Sequence, residues 1–296
     1  MGSITKKDVR AMRRFETIFR AMGTVNSISI SSCNKETPDV LLTSLREAMF
    51  EADDRLSIFK PESEISRINR ASSGIPDGIS EETMDILRIA QACKEETCGL
   101  FDIDPKKNHI LDLGGIAKGY MLDKAVEQIR KSSFSGCDVM LNYGGSIAIM
   151  GSADWIRIRN PFHFSGVTDG NSILLSSSPK NPPAIEVCCK NEKIITSGIY
   201  ENFSKDAGTI RHHIIDPRTG RSSDTDLVSV TLIGTCGTKM DALATACIVA
   251  GIRESLSWLR KHNIEGIYIR KDGSAFATEG LRGRIRFVNS KEENAV

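Results

Sequence analysis

The sequence predicts an α+β fold, on three observations. Segments alternating in the manner of strands are mixed with segments of helical spacing, without a regular βαβ succession. No internal repeat of solenoid length is present. No linker rich in Pro, Gly or Ser divides the 296 residues. One mixed domain with antiparallel sheets and packed helices is expected over 21–290, after a basic arm at 1–20 and before a short tail at 291–296.

The elements follow in order. Residues 1–20 carry Lys6, Lys7, Arg10, Arg13, Arg14 and Arg20 and read as a lead-in helix or arm. A strand is expected at 25–30, where β-branched residues partly alternate. Thr37 as N-cap and Pro38 in the first turn start a helix with Leu41, Leu45, Ala48, Ala52 and Leu56 as its stripe, stopped by Pro61. A short turn or helix at 64–69 precedes a second amphipathic helix, capped by Ser80 and turning Ile86, Leu87, Ala90 and Cys93 inward to about Glu95. Residues 99–105 read as a strand edge, and 111–112 as the end of a short strand that turns through Gly114 and Gly115 into a helix from Ile116 to about Lys131.

Further strands are expected at 138–142, 147–151, 155–161, 184–189 and 193–196, with a loop at 162–183 holding one short strand near 173–175. The strand at 211–216 closes in the turn Pro217-Arg218-Thr219-Gly220. An alternating strand at 227–233 leads to a small-residue helix at 239–250, ended by Gly251. A helix at 253–261 and strands at 266–270 and 284–288 complete the chain.

Composition excludes several classes of function. Hydrophobic residues are 40% and charged residues 26%, an ordinary globular balance. Lys plus Arg number 39 against 38 Asp plus Glu, so no global field recruits nucleic acid or an anionic membrane. Aromatic residues at 6% argue against a base-stacking platform. The best candidate for a membrane span, 242–252, is short and interrupted by Thr245 and Gly251. Residues 1–10 lack the apolar core of a secretory signal, and Lys6 stands where N-myristoylation favours Ser or Thr. The eight cysteines form no Cys-x-x-Cys and no zinc spacing, so reduced thiols and a cytoplasmic location are expected. The adjacent pair Cys188-Cys189 reads as two strand cysteines.

Chemistry collects in three stretches. At Leu111-Asp112-Leu113-Gly114-Gly115-Ile116-Ala117-Lys118-Gly119, glycines permit close backbone approach, and a helix start offers N–H groups to phosphate. Asp112 and Lys118 flank that turn; alone, such a pattern is more often an ordinary corner. Asp241 and Thr245, four residues apart, share one helical face. A carboxylate, a hydroxyl and main-chain carbonyls suit Mg²⁺, although Asp241 would also complement the helix dipole and Thr245 could bond back into its helix. In His212-His213-Ile214-Ile215-Asp216, alternation sends the imidazoles to opposite faces; His213 is the proton-transfer candidate and His212 the structural one.

Taken together, the chain resembles the ApbE family of FAD:protein FMN transferases. Matching pieces occur in family order: Met22-Gly23-Thr24, 54–64 (Asp-Arg-Leu-Ser-Ile-Phe-Lys-Pro-Glu-Ser-Glu), Phe101-Asp102-Ile103, 112–120, Asn142-Tyr143-Gly144-Gly145, 196–200, 213–220 and 241–246. The resemblance implies a T-fold-like α+β architecture, FAD as substrate and a Mg²⁺ bridging its pyrophosphate. By motif position, Met22, Phe59, Leu100, Phe101, Asp102, Asp112, Lys118 and Ile215 would line FAD. Asp241, Thr245 and the main-chain carbonyl of Ala117 would hold the metal, and His213 would assist catalysis. Some members have a further acidic residue where this chain has Ala244. Secreted members carry a lipoprotein signal, which this sequence does not show.

The implied activity is Mg²⁺-dependent transfer of FMN to a Thr or Ser hydroxyl of an acceptor flavoprotein subunit, with release of AMP. No convincing acceptor motif occurs in this chain, so the acceptor is expected to be a separate polypeptide. The alternatives are an FAD pyrophosphatase, in which water is the nucleophile, and a non-catalytic flavin-binding carrier.

Overall fold

Phe15, Thr17, Phe19 and Ala21 stand at every second position, so Arg13–Ala21 forms a strand, β1, rather than the expected helix or arm. Glu16, Ile18 and Arg20 lie exposed between the inward ones, and Phe19 meets Phe50 edge-on at 5.6 Å. The computed structural model describes residues 12–32, 36–159, 161, 184–200, 203–206 and 209–288. The loop at 162–183 and its short strand lie outside them.

β2 (Thr24–Ser32) follows, then α1 (Asp39–Leu56), α2 (Glu64–Arg70), α3 (Glu81–Glu96) and α4 (Ala117–Arg130). Strands β3 (Asp138–Tyr143), β4 (Ser146–Met150), β5 (Asp154–Ile158), β6 (Ala184–Cys189) and β7 (Lys193–Gly198) come next. Short strands β8 (Phe203–Asp206), β9 (Thr209–His212), β10 (Ile215–Asp216) and β11 (Arg221–Ser222) lead to β12 (Leu227–Gly234). The chain ends with α5 (Gly237–Ala250), α6 (Ile252–Lys261), β13 (Glu265–Arg270), β14 (Ala275–Ala277), a short 3-10 turn and β15 (Ile285–Val288).

Eight strands form one sheet in the order β1-β2-β3-β4-β7-β12-β13-β14, and each neighbouring pair is antiparallel. A three-stranded sheet, β15-β6-β5, covers part of it. Alternation divides the central strands between two cores. Ala148, Ile195, Val230 and Tyr268 pack with Leu45, Leu122 and Leu243 of the helices, whereas Ile149, Ile194, Ile233 and Ile267 meet Ile156, Ile185 and Val187 of the smaller sheet. Covered on both faces, β12 is buried at every residue, so its alternation marks two interiors rather than inside and outside.

Several local expectations are corrected. Pro38, not Thr37, is the N-cap of α1, and the Thr37 hydroxyl turns to Asp39 instead. That helix ends at Leu56, ahead of Pro61, and buries Leu42 and Met49 where Leu41 and Ala48 were expected. Residues 99–105 are no strand: the Asp102 carboxylate accepts the Asp104 N–H, and Asp104 accepts those of Asn108 and His109. Such side-chain bonds compete with a ladder. Leu111 is no strand either, because the Asn69 amide accepts its N–H and donates to its carbonyl, taking a partner strand's place. The strand at 211–216 breaks at His213 and Ile214. The Ser80 cap is present, accepting the Thr83 N–H.

A partly buried carboxylate ties three helices together. Glu96, at the end of α3, meets Lys239 of α5 at 3.2 Å and Lys261 and His262 at the end of α6 at 2.7 and 2.5 Å. Burial raises the Glu96 carboxyl, but hydrogen bonds from Lys261, His262 and Lys239 outweigh it and hold the group at about 2. A depressed folded value means that this stability is present above the ordinary Glu range and lost as pH falls from about 4.5 towards 2. Glu96→Gln should therefore flatten the dependence of melting temperature on pH in that window, relative to wild type. Parallel melting curves for the two proteins would contradict the assignment.

Candidate functional site

The site grows from the crossing of α4 and α5. Both helices place small residues at the contact, which lets their backbones approach. A Cβ on Gly119 would lie 2.3 Å from the Gly237 carbonyl oxygen and 2.7 Å from Asp241 Cβ. The Gly119 N–H donates to Asp241 Oδ2 at 2.9 Å, a bond between residues 122 positions apart. One turn on, Thr245 faces Gly115, whose Cβ would stand 3.2 Å from Thr245 Oγ1 and 3.4 Å from the Phe101 ring. Gly114 and Gly115 do not use positive φ, unlike Gly144 and Gly145, so Gly115 serves close approach alone. The Ser197 hydroxyl of β7 reaches Thr245 Oγ1 at 3.4 Å.

Asp241 is 4% exposed. Burial pushes its carboxyl above the ordinary Asp range, opposed by the Lys118 charge and the Gly119 N–H. A buried carboxylate held by one N–H, with the Thr245 and Ser197 hydroxyls close by, is a hard oxygen donor set that fits Mg²⁺. Among the described residues no group of three or more His, Cys, Asp or Glu could hold a metal, so much of the coordination would fall to water and phosphate. Ala117 opens α4 two residues before Gly119. Ala244 carries only a buried methyl group, so its side chain offers no further ligand.

The turn before α4 is built by Asp112, whose Oδ1 accepts the Gly114 N–H at 2.8 Å, while Lys118 Nζ lies 3.4 Å from the Gly114 carbonyl. The helix-start N–H groups are partly spoken for: those of Ile116 and Ala117 go to the Leu113 carbonyl and that of Gly119 to Asp241. Leu100, Phe101 and Asp102 are buried beside this turn. Asp102 pairs with Lys94 at 2.9 Å and with Lys107. Burial raises its carboxyl, yet Lys107, the Asp104 N–H and Lys94 bring it below the usual range.

Met22 is tied to Lys60, the neighbour of Phe59, through Asp53, a residue the sequence did not single out. Met22 sits in the β1–β2 turn at φ +51°, the left-handed region. Its N–H donates to Asp53 Oδ1 at 2.9 Å, and Asp53 Oδ2 takes Lys60 Nζ at 2.6 Å. Phe59, next to Lys60, is 88% exposed.

His213 and Ile215 occupy a separate hairpin. His212 is buried, with Nε2 bonded to the Ser223 carbonyl at 2.9 Å, and burial lowers its imidazole. His213 is exposed. Ser223 and Thr225 donate to the Ile248 carbonyl of α5, so the hairpin bearing His213 is fastened to the helix bearing Asp241.

The ApbE family profile matches residues 22–107 and 104–268. A Treponema pallidum protein named FAD:protein FMN transferase is 32% identical over 195 residues, 61% of this chain and 49% of that protein. A Klebsiella pneumoniae protein of the same name is 30% identical over 198 residues, 66% of this chain and 56% of its own length. The chain thus spans about half the length of these two relatives. The crystal structure of the ApbE protein from Thermotoga maritima superposes with a TM-score of 0.77 at 24% identity, covering 93% of this chain and all of that one. The motifs around Met22, Asp112, Gly119 and Asp241 all fall inside the matched segments, in an architecture shared nearly end to end, and the chain belongs to the ApbE family.

Proposed function

We propose that this chain transfers FMN from FAD to a Thr or Ser hydroxyl of a separate acceptor protein, releasing AMP, and that it requires Mg²⁺. The observation that carries the reading is the contact of Asp241 with Gly119 and of Thr245 with Gly115, which sets a metal-type oxygen pair against a glycine turn flanked by Lys118. Family membership and the name shared by the relatives support it.

In this reading the acceptor oxygen attacks the FMN phosphorus, the P–O–P bond to AMP breaks, and the hydroxyl proton passes to His213 or a nearby carboxylate. Asp241, Thr245 and the Ala117 carbonyl would hold Mg²⁺, which supplies charge neutralisation at the pyrophosphate and the departing AMP. Lys118 adds a fixed cation at the same turn. Met22, with its strained backbone held by Asp53, and the uncovered Phe59 ring offer apolar surface for the isoalloxazine.

The test is incubation with FAD and a Thr-containing acceptor peptide, in Mg²⁺ or EDTA, following AMP by chromatography and the peptide by intact mass. A peptide gaining FMN less water, only with Mg²⁺, is the expected result. AMP and FMN appearing equally without acceptor would identify a pyrophosphatase, and FAD bound but unchanged would identify a carrier. A base at His213 predicts that His213→Ala slows transfer by roughly 10²-fold or more, within the range for general acid–base groups, with FAD affinity retained. Transfer by His213→Ala at the wild-type rate would remove that role.

A further inference from the structure

Beside the cation site stands a carboxylate that touches neither substrate nor metal in the reading above. Asp123 is four residues beyond Gly119 on α4, on the same face. Its Oδ1 accepts the Gly237 N–H at 2.8 Å, and its Oδ2 accepts the Thr238 N–H at 2.8 Å and the Thr238 hydroxyl at 2.6 Å. These are first-turn donors of α5, whose own N-cap residue, Cys236, makes no side-chain cap bond. Asp123 therefore caps a helix from 114 residues away.

The carboxylate is itself held. Lys193 of β7 is buried, and its Nζ lies 2.6 Å from Asp123 Oδ1 and 2.6 Å from the Thr235 carbonyl. One ammonium thus fixes both the capping group and the loop that enters α5.

The contacts form a ladder of three rungs. Gly115 faces Thr245, Gly119 faces Asp241, and Asp123 faces Gly237 and Thr238. Each rung advances four residues on one segment and retreats four on the other, so a slip at one rung displaces the others. The glycine rungs rest on close packing and a single N–H bond. The Asp123 rung carries three hydrogen bonds and an ion pair. It is the directional one, able to set the register of α5.

We propose that Asp123 is a positioning residue for the cation site, fixing the register of α5 on α4 and through it the place of Asp241 and Thr245. The proposal rests on the reading of Asp241 and Thr245 as cation ligands given above.

The experiment is Mn²⁺ titration of the full chain with FAD present, reading free Mn²⁺ by its EPR signal and the fold by melting temperature. Asp123→Asn keeps the shape but loses the Lys193 pair and one acceptor; Mn²⁺ affinity should fall about tenfold, the low end for groups that orient metal ligands. Lys193→Met should shift it in the same direction and decides the matter if Asp123→Asn does not fold. Ser80→Ala removes the cap of a different helix and should leave Mn²⁺ affinity at the wild-type value whatever its melting temperature. Wild-type affinity in Asp123→Asn and Lys193→Met, with binding lost in Asp241→Ala, would overturn the proposal, as would an equal loss in Ser80→Ala. Mn²⁺ binding by wild type that Asp241→Ala leaves untouched would overturn the cation-site reading instead.

Discussion

Asp241→Asn should fold and bind FAD yet transfer FMN at least about a hundredfold more slowly than wild type. The carboxylate is the charged oxygen donor assigned to the cation, and loss of a metal's charge stabilisation is worth several kcal/mol of barrier, where each 1.36 kcal/mol is about tenfold in rate. The fold should survive because an asparagine Oδ1 can accept the Gly119 N–H that Asp241 now accepts. It should even be helped when divalent cation is absent. Asp241 is buried, and burial disfavours its charged form; a neutral amide of the same shape avoids that desolvation. The expected pattern is a melting temperature in EDTA equal to or above wild type, joined to loss of the Mg²⁺-dependent rise that binding to the native state produces in wild type. Thermal melts and single-turnover transfer assays on the same samples give both readings. Transfer within threefold of wild type would remove Asp241 from the cation site.

That the helical placement of Asp241 and Thr245 was legible beforehand, while the contacts around them were not, follows from the range of the interactions. Asp241 and Thr245 are four apart on one helix, and Ser80 caps the residues that follow it; both patterns are local and were legible. So was the Pro217-Arg218-Thr219-Gly220 turn, which closes β10 onto β11. Leu111 looked like a strand because nothing in its own stretch reveals that Asn69, 42 residues earlier, satisfies its backbone. The start of α5 was placed two residues late for the same reason, since its cap comes from Asp123 rather than Cys236. β1 was missed because its arginines and glutamate masked the inward row of Phe15, Thr17, Phe19 and Ala21. The architecture was legible as a class, α+β and antiparallel, but the division of the large sheet between two cores was not. A mostly apolar strand such as β12 reads alike whether one or two layers cover it.

Gly119 is the sharpest case of a residue whose importance lies only in what approaches it, and Gly119→Ala should be among the most damaging single-methyl additions in the chain. The added Cβ would lie 2.3 Å from the Gly237 carbonyl oxygen and 2.7 Å from its carbon, backbone atoms that cannot turn aside. Alanine is favoured over glycine inside a helix by up to about 1 kcal/mol, so propensity alone predicts a gain. Overpacking against backbone costs about 1–3 kcal/mol or more and should win, because relief requires α4 and α5 to separate along the ladder. Gly136 provides the comparison: nothing lies within 4 Å of its would-be Cβ, so Gly136→Ala should change stability by no more than roughly 0.5 kcal/mol. Separation of the helices would also lengthen the bond from the Gly119 N–H to Asp241 and carry Thr245 from Gly115. Gly119→Ala should therefore lose Mg²⁺-dependent transfer at temperatures well below its own melting point, where Gly136→Ala keeps it. A Gly119→Ala protein that melts with wild type and transfers FMN at its rate would mean that the two helices part at no cost, and the crossing could not then be what fixes Asp241.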